Sequence, residues 1–320
     1  MNVGNLAALV TISAWNIGCS IASRPHTVLP LTAEERDIAG HLRSHITHLA
    51  GTIGPRNLQH PGTLDRAAAY IEDAFAGAGH RPARQTFVAS GRDVANIEAE
   101  RRAESQADGV ILFGAHYDSA GNSPGANDNA SGVAILLELA RVAARERLRT
   151  TARFVAFVNE EPPHFMTETM GSLVYATAAA RRGDRIRAMI SLETLGYYSD
   201  APGSQQYPPP FNLLFPNRGN FVAMVSNVSS ASLLRQVRNA FRSTSSVPVV
   251  ASPAPERIPG VGWSDHWSFW RQGVPAVMLT DTAPYRYPYY HTREDTPDKI
   301  DYDRLARVVT GCLGVLRSLG

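Results

Sequence analysis

The sequence has few cysteines, few charged residues and no run of positive charge. Its 320 residues include only two cysteines, Cys19 and Cys312, which are too far apart to build a cysteine-based zinc finger. Any bound metal ion must therefore be held by histidine and carboxylate side chains. Charged residues make up 19% of the chain and the formal net charge is +2. This near-neutral balance argues against nucleic acid as the main partner.

The N-terminal apolar run is too short and interrupted to indicate a membrane-spanning helix. No charged side chain occurs before Arg24, and an apolar run over 6–14 ends close to Gly18-Cys19-Ser20. We interpret residues 1–31 as a signal-like or flexible segment in which Cys19 is a candidate lipid attachment site and membrane tether. This interpretation places the protein outside the cytoplasm. Because no basic residue precedes the apolar run, a cytoplasmic protein with a misplaced start codon is the alternative.

The second cysteine lies in the last predicted helix. Its apolar neighbours indicate that Cys312 is a buried thiol that needs no partner. A disulfide between Cys19 and Cys312 is the alternative, and an oxidising compartment would permit it.

Helix and strand patterns alternate from Thr32 onward. Thr32 followed by Glu35 is typical of a helix N-terminus, and the continuous apolar run 109–115 is typical of a strand buried on both faces. Further strands are predicted at 85–89, 94–99, 153–158, 188–192 and 275–279, further helices at 64–79, 130–144 and 302–319, and loops at 200–220 and 252–262. The alternation predicts an α/β fold with one domain over 32–320, in which helices flank both faces of a mixed, mostly parallel central sheet.

Histidine and carboxylate side chains recur where the predicted strands end. These residues are His116, Asp118, Glu160, Glu161, Glu193 and His291, and Asp128 directly precedes a helix. Taken singly, each could be a surface histidine, a helix cap or a solvated glutamate. Ligands of open α/β sheets collect outside the carboxyl ends of the strands, however, so we expect these side chains to converge. Clustered carboxylates need cations to neutralise them, and the mixture with imidazoles suits zinc, with manganese or cobalt as alternatives.

Several motifs resemble those of a known enzyme family in their order and spacing. The motifs are Gly114-Ala-His-Tyr-Asp-Ser119, Gly125-Ala-Asn-Asp-Asn-Ala-Ser-Gly132, Asn159-Glu-Glu161, Ser191-Leu-Glu193, Ser264-Asp265-His266, Gly273-Val-Pro-Ala276 and Tyr290-His291. Together they resemble the dinuclear zinc aminopeptidase family that includes secreted bacterial leucyl aminopeptidases. The resemblance covers Thr32 to the end of the sequence.

The resemblance implies a role for each ligand position. His116 and Glu193 would bind one zinc ion, Glu161 and His291 would bind the other, and Asp128 would bridge the two. The peptide bond after Asp128 would be cis. The family usually has aspartate where this chain has Glu193, which indicates a bacterial subgroup whose longer side chain is accommodated by a small backbone shift.

The resemblance also implies how the reaction would proceed. Glu160 would act as general base on a water shared by the two metal ions. Asp118 would orient His116 by accepting its other ring proton, and Asp265 would also lie behind the ligands. The substrates would be peptides with a free N-terminus. Candidate residues for an apolar side-chain pocket are Phe165, Tyr285, Tyr287 and Tyr289, with ordinary loop packing as the alternative.

Two other functions are compatible with the same scaffold. A glutaminyl cyclase would share the Ser-Asp-His motif and would use a tryptophan-lined pocket, for which Trp263, Trp267 and Trp270 are candidates. A non-catalytic binding module would keep the fold and lose the metal ions. The retention of Glu160 and of every ligand position favours the metallo-aminopeptidase.

Overall fold

The computed structural model describes residues 30–104, 109–207 and 211–320, so Cys19 and the rest of the N-terminal segment up to residue 29 lie outside the described residues. The described α-helices are α1 Ala33–Ile46, α2 Thr63–Gly77, α3 Gly132–Ala143, α4 Gly171–Arg182, α5 Ala231–Thr244, α6 His266–Trp270, α7 Ala283–Arg286 and α8 Tyr302–Leu319. The described strands are β1 Ala83–Ala89, β2 Arg92–Arg101, β3 Val110–His116, β4 Thr151–Phe157, β5 Ile186–Glu193, β6 Val222–Ser226, β7 Val249–Pro253 and β8 Ala276–Thr280.

Local sequence signals set the ends of the first and last helices. Thr32 and Glu35 form the capping box that begins α1, with Thr32 N donating to Glu35 Oε2 at 2.8 Å and Glu35 N donating to Thr32 Oγ1 at 3.1 Å. The side chain of Asp301 accepts from the backbone of Arg304 at 2.9 Å and begins α8. Both contacts satisfy N–H groups that have no partner within the helix.

The strands of the described residues form one eight-stranded sheet in the order β1-β2-β4-β3-β5-β8-β6-β7. The inner strands β4, β3, β5 and β8 run parallel to one another. The pairs β1–β2, β2–β4 and β6–β8 are antiparallel, and β6–β7 is parallel. The predicted α/β fold with a mixed, mostly parallel sheet is therefore confirmed.

Helices cover both faces of the sheet. Helices α1, α2, α3, α5 and α8 pack on one face around a large apolar core. On the other face, α4 and α6 pack on β2, β5 and β8, with Phe157, Met189 and Phe269 in a second core. Cys312 is buried in the first core, as expected for an apolar thiol. Beyond α6, the second face of β6 and β7 is lined by loop residues that include Gln205, Tyr207, Phe211, Phe215, Ala254, Ile258 and Trp263.

Two sequence expectations about local structure need correction. Strand β7 extends to Pro253, so the loop expected over 252–262 begins later; an edge strand tolerates proline because its outward N–H needs no partner in the sheet. Within the expected loop 200–220, Phe211–Leu213 forms a short 3₁₀ turn. Within the described ranges, no helix is long and apolar enough to cross a membrane.

Candidate metal centre

The candidate site lies at the carboxyl ends of neighbouring parallel strands. His116 is the last residue of β3 and Glu193 is the last residue of β5. Glu160 and Glu161 follow β4, whose carboxyl end lies at the same edge of the sheet. The structure thus brings together side chains that are up to 77 positions apart in the sequence, from 116 to 193, because parallel strands end side by side.

The loop that carries Asp128 is attached to the ends of β5 and β8. The Asp128–Asn129 peptide bond is cis, as the resemblance implies. Asn127 Nδ2 donates to Asp281 Oδ2 at 2.9 Å, and Asn129 Nδ2 donates to the carbonyl of Leu192 at 2.8 Å. The asparagines on either side of Asp128 therefore fix this loop over the sheet edge.

Asp128 presents one carboxylate oxygen to each half of the site. Its Oδ1 atom lies 3.3 Å from His116 Nε2, which is also 3.3 Å from Glu193 Oε2. Its Oδ2 atom lies 3.0 Å from His291 Nε2, which is 3.2 Å from Glu161 Oε2. Tetrahedral zinc with bonds of about 2.1 Å places its ligand atoms about 3.4 Å apart. Two groups of donors with such separations therefore share Asp128.

The charges of the site indicate a place for cations. Burial raises the pKa of Glu161 to about 7 and the pKa of Glu160 well above its usual range. Burial lowers the pKa of His291, but hydrogen bonds to Asp128 and Glu161 outweigh this effect and raise the pKa to about 10. Among the described residues, His116 Nε2 and Glu161 Oε1 are buried without a hydrogen-bond partner. Buried carboxylates and an unpartnered imidazole nitrogen fit a divalent metal ion.

Asp118 supports the site chiefly through the backbone that carries the two adjacent glutamates. Its Oδ1 accepts from Glu160 N at 3.1 Å and its Oδ2 accepts from Glu161 N at 3.0 Å. Oδ1 also lies 3.4 Å from His116 Nδ1, at the distance of an ion pair. One buried carboxylate thus connects the loop after β3 to the loop after β4, a connection that the sequence did not indicate.

The Ser-Asp-His motif lies directly behind the third glutamate of the site. Ser264 Oγ donates to Glu193 Oε2 at 2.6 Å, and Ser264 and Ser191 are 3.1 Å apart between their Oγ atoms. Asp265 follows at the start of α6 and is fully buried, and burial raises its pKa to about 7. The bond from Ser264 fixes the orientation of the Glu193 carboxylate.

A buried arginine with no recognisable sequence signal fixes the loops after β3. The side chain of Arg56 is fully buried and donates only to backbone carbonyls among its described hydrogen bonds, including Tyr117 O at 2.7 Å and Gly125 O at 2.9 Å. Burial lowers the pKa of Arg56 to about 10, against the attraction of nearby site carboxylates. No sequence signal marked this residue, because an arginine in a predicted loop is most often solvated.

Strained backbone conformations occur directly at the site. Asn159, Thr194 and His291 have φ angles of 60°, 40° and 59°, in the left-handed region that residues other than glycine rarely adopt. Asn159 precedes Glu160, Thr194 follows Glu193, and His291 is itself a candidate ligand. Such conformations persist only where surrounding contacts enforce them, and they cluster at functional sites.

An apolar pocket opens beside the metal centre. It begins at Glu193 and Tyr290, and it is lined by side chains of β6, β7 and β8 and by loop residues that include Phe211, Phe215 and Trp263. Of the four aromatic residues expected to line such a pocket, Tyr285 does so. Phe165, Tyr287 and Tyr289 are not among the residues that line this pocket, which agrees with the alternative of ordinary loop packing. Tyr287 is buried and donates to Asp295 at 2.7 Å.

Tyr290 connects the pocket to the metal centre. Its ring stacks on the imidazole of His291, with ring centroids 3.8 Å apart. Burial is the main cause of its raised pKa, and the neighbouring carboxylates Asp128, Glu161, Glu193 and Glu160 raise it further. Tyr290 therefore presents a protonated phenol beside the acidic cluster.

Comparison with known sequences decides the family. The sequence profile of Peptidase family M28 matches residues 96–316, which is more than half of the chain. The chain belongs to Peptidase family M28. Among M28-like relatives, it is 40% identical over 285 residues to the uncharacterized protein YfbL of Escherichia coli (strain K12), with 86% of each chain covered. It is 25% identical over 225 residues to a probable leucine aminopeptidase of Arthroderma benhamiae, covering 66% of this chain and about half (54%) of that relative.

Solved structures share the M28 fold of this chain. The zinc aminopeptidase BSAP from Bacillus subtilis superposes with a TM-score of 0.67 at 17% identity, covering 87% of this chain and 94% of that one. A glutaminyl cyclase from Porphyromonas gingivalis superposes with a TM-score of 0.66 at 19% identity, covering 88% and 98%. Because the two structures match equally well, the fold does not separate peptidase from cyclase, and the site must do so.

Proposed function

We propose that this M28 protein is a metal-dependent aminopeptidase that removes N-terminal amino acids from peptides with two zinc ions. The observation that carries the proposal is the position of the Asp128 carboxylate, whose two oxygens face two separate histidine–glutamate pairs. A single metal ion would need only one of these pairs. The relatives from Arthroderma benhamiae, a probable leucine aminopeptidase, and from Bacillus subtilis, a zinc aminopeptidase, support the same activity.

The donor set determines which residues would hold each ion. His116 and Glu193 would bind one zinc ion, His291 and Glu161 the other, and Asp128 would bridge them. When bound, the pair of ions supplies Lewis-acid chemistry that lowers the pKa of a water molecule and polarises the scissile carbonyl. Manganese or cobalt could take the place of zinc, because the ligands are oxygen and imidazole nitrogen.

Glu160 is the residue that would move the proton. It lies beside the ligands, with Oε2 3.9 Å from His116 Nε2, and no ligand role is needed of it. Burial raises its pKa, which suits a general base that must accept a proton from water and return it to the leaving amine. Its backbone is fixed by Asp118, so the carboxylate is held in place during both transfers.

The surroundings of the site favour a peptide N-terminus. The carboxylate-rich sheet edge attracts the positively charged α-amine of the substrate, while the apolar pocket beside Glu193 would receive the first side chain. The phenol of Tyr290 lies between the two and could donate a hydrogen bond to the developing negative charge on the carbonyl oxygen.

The cyclase alternative requires a tryptophan-lined pocket, and the structure disfavours it. Of its three candidate residues, Trp263 lines the pocket. Trp270 is buried and donates its indole N–H to the carbonyl of Ala276 at 3.1 Å, and Trp267 packs against the second core. The two tryptophans on α6 therefore pack within the fold and are not among the residues that line the pocket.

Product analysis separates the functions. The zinc-loaded protein is incubated with leucyl-p-nitroanilide, with the same substrate acetylated at its α-amine, and with a glutaminyl peptide. We expect release of p-nitroaniline from the free-amine substrate only. Cyclisation of the glutaminyl peptide without anilide hydrolysis would establish the cyclase, and equal cleavage of the acetylated substrate would exclude an aminopeptidase.

We also propose that the catalytic domain lies outside the cytoplasm, attached to a membrane by a lipid on Cys19. The apolar run before Gly18-Cys19-Ser20 supports this proposal. Mass spectrometry of the protein purified from its own cell membranes tests it. A mature chain that starts at a lipidated Cys19 is expected, and an unmodified Met1 in the soluble fraction would contradict it.

A further inference from the structure

The floor of the apolar pocket is a row of residues that starts at the metal centre and crosses the sheet. Glu193 on β5 pairs with Thr280 on β8, Thr280 pairs with Ala223 on β6, and Ala223 pairs with Val250 on β7. All four residues line the pocket. Residues in register on neighbouring strands point to the same face of a sheet. The row is therefore a straight path from a candidate zinc ligand to the edge of the sheet.

A second row runs beside the first on the same face. Met278 pairs with Val225, and Val225 pairs with Ser252. Each residue lies two positions from its neighbour in the first row, so all point to the same side of the sheet, and all three line the pocket. We refer to the surface formed by Thr280, Ala223, Val250, Met278, Val225 and Ser252 as the trough.

The walls of the trough come from loops, and its far end is open. Phe215 lies on one loop and Ile258 on the other, both among the lining residues. Burial decreases along the first row, from Thr280 at 4% exposed and Ala223 at 7% to the half-buried Val250. A ligand that follows the trough is thus enclosed beside the metal centre and reaches solvent at β7.

The trough is longer than any apolar amino-acid side chain. Three strand spacings of about 4.8 Å separate Glu193 from Val250, or about 14 Å in total. An extended hydrocarbon advances about 1.25 Å per carbon, given C–C bonds of about 1.5 Å, so this path holds a chain of about eleven carbons. Leucine reaches only two carbons beyond its β-carbon. A leucine side chain therefore fills less than half of this path.

We propose that the substrates of this enzyme carry a long linear aliphatic group on the N-terminal residue, and that this group lies along the trough. The inference rests on the proposed aminopeptidase function, because it places the α-amine and the scissile bond at the metal centre. The trough is apolar except for the hydroxyls of Thr280 and Ser252, and none of its six residues is charged. The substrate class is therefore a lipophilic α-amino acid amide or a peptide that begins with such a residue.

A series of substrates of increasing chain length tests the inference. The p-nitroanilides of L-2-aminohexanoic, 2-aminooctanoic, 2-aminodecanoic and 2-aminododecanoic acids are compared with the leucyl compound on the zinc-loaded protein. Burial of each methylene contributes about a fourfold gain in affinity. We expect kcat/KM to rise by up to that factor per methylene and to level off near the length of the trough. A maximum at leucine or 2-aminohexanoic acid would overturn the proposal.

Two variants test whether the aliphatic group of the substrate lies along the trough. Ala223→Phe and Val250→Trp each place a large ring across the path, the first one strand nearer to the metal centre. We expect the ratio of long-chain to leucyl kcat/KM to fall in both, with Ala223→Phe acting at shorter chain lengths. Val88→Trp is the matched control, because Val88 is 63% exposed on the opposite edge strand, and its ratio should equal that of the wild type. Equal ratios of long-chain to leucyl kcat/KM in the wild type and all three variants would contradict binding along the trough.

Binding of the free amino acids separates this inference from the proposed function. Calorimetry of the same 2-aminoalkanoic acids needs no turnover. Affinity that rises with chain length and falls in Val250→Trp supports the trough even if no anilide is hydrolysed, in which case the aminopeptidase proposal alone fails. Hydrolysis of the leucyl substrate together with affinity independent of chain length refutes the trough and leaves the peptidase intact.

Discussion

The carboxylate of Asp295 accepts the backbone N–H of Asp128 at 3.1 Å through Oδ2, while its Oδ1 accepts the N–H of Asn127 at 2.8 Å. Asp295 belongs to the same loop as His291, four residues further along. The loop of one candidate ligand therefore holds the backbone of the residue that bridges both halves of the site. Metal affinity should depend on this contact, although Asp295 is not one of the proposed metal ligands.

Asp295→Asn should weaken zinc binding by about tenfold to a hundredfold, the range observed when groups that orient metal ligands are changed. An amide retains one oxygen acceptor but presents an N–H₂ group to a backbone N–H, so one of the two bonds is lost. Competitive titration with a chelator measures the affinity. Asp298→Asn, an exposed position in the same region, is the control, and equal zinc affinity in both variants would refute the role of Asp295.

Glu160→Gln should retain its metal ions and lose at least about a hundredfold in kcat, because glutamine cannot accept the proton of the attacking water. Metal content is measured by elemental analysis and kcat with leucyl-p-nitroanilide. Glu168→Gln, on the exposed part of the following loop, should behave as the wild type. A Glu160→Gln protein with near-normal turnover would show that another group is the base.

Asp128→Asn should weaken both metal sites together, whereas His116→Ala should weaken mainly one. The carboxylate of Asp128 offers an oxygen to each half of the site, and an amide offers a single oxygen; the Nε2 atom of His116 faces one half only. Stepwise zinc titration distinguishes the variants. Loss of a single step in Asp128→Asn would refute the bridge.

His266 should make the fold less stable in acid. Burial lowers its pKa to about 4 from 6.5, so the unfolded chain binds a proton at a pH where the folded protein does not. Stability is lost as the pH falls from about 6.5 to about 4, by roughly 3 kcal/mol for a shift of this size. The difference in unfolding free energy between wild type and His266→Asn, measured at pH 7 and pH 4, should shrink by that amount. A difference independent of pH would contradict the buried, neutral imidazole.

The sequence was sufficient to predict the fold class and the convergence of the site, for one physical reason. Parallel strands end at a common edge, so residues such as His116 and Glu193 could be placed together without knowledge of the topology. Membership of the zinc aminopeptidase family is confirmed as membership of family M28. The glutamate subgroup, the ligand roles and the number of metal ions stay predictions.

The parts that were missed depend on contacts that a single sequence does not encode. Arg56 and Asp295 act through hydrogen bonds to distant segments, and nothing in their neighbouring residues distinguishes them from solvated side chains. Ser264 belongs to a motif that the sequence shows, but its hydrogen bond to Glu193 was not predicted. Helix α5 could have been predicted from the sequence. Its buried apolar residues Leu233, Leu234, Val237 and Phe241 recur at helical spacing. The sequence could not show which aromatic loop residues line the pocket, because loop residues have no periodicity that indicates the direction of their side chains.

Zinc titration of the metal-free protein measures how many ions the proposed site holds. Bound zinc and leucyl-p-nitroanilide hydrolysis are followed in the same samples as metal is added. We expect saturation at two zinc ions per chain, with hydrolysis that appears as the ions bind and requires a free α-amine on the substrate. Saturation at one ion, or two bound ions without any hydrolysis of free-amine substrates, would contradict it.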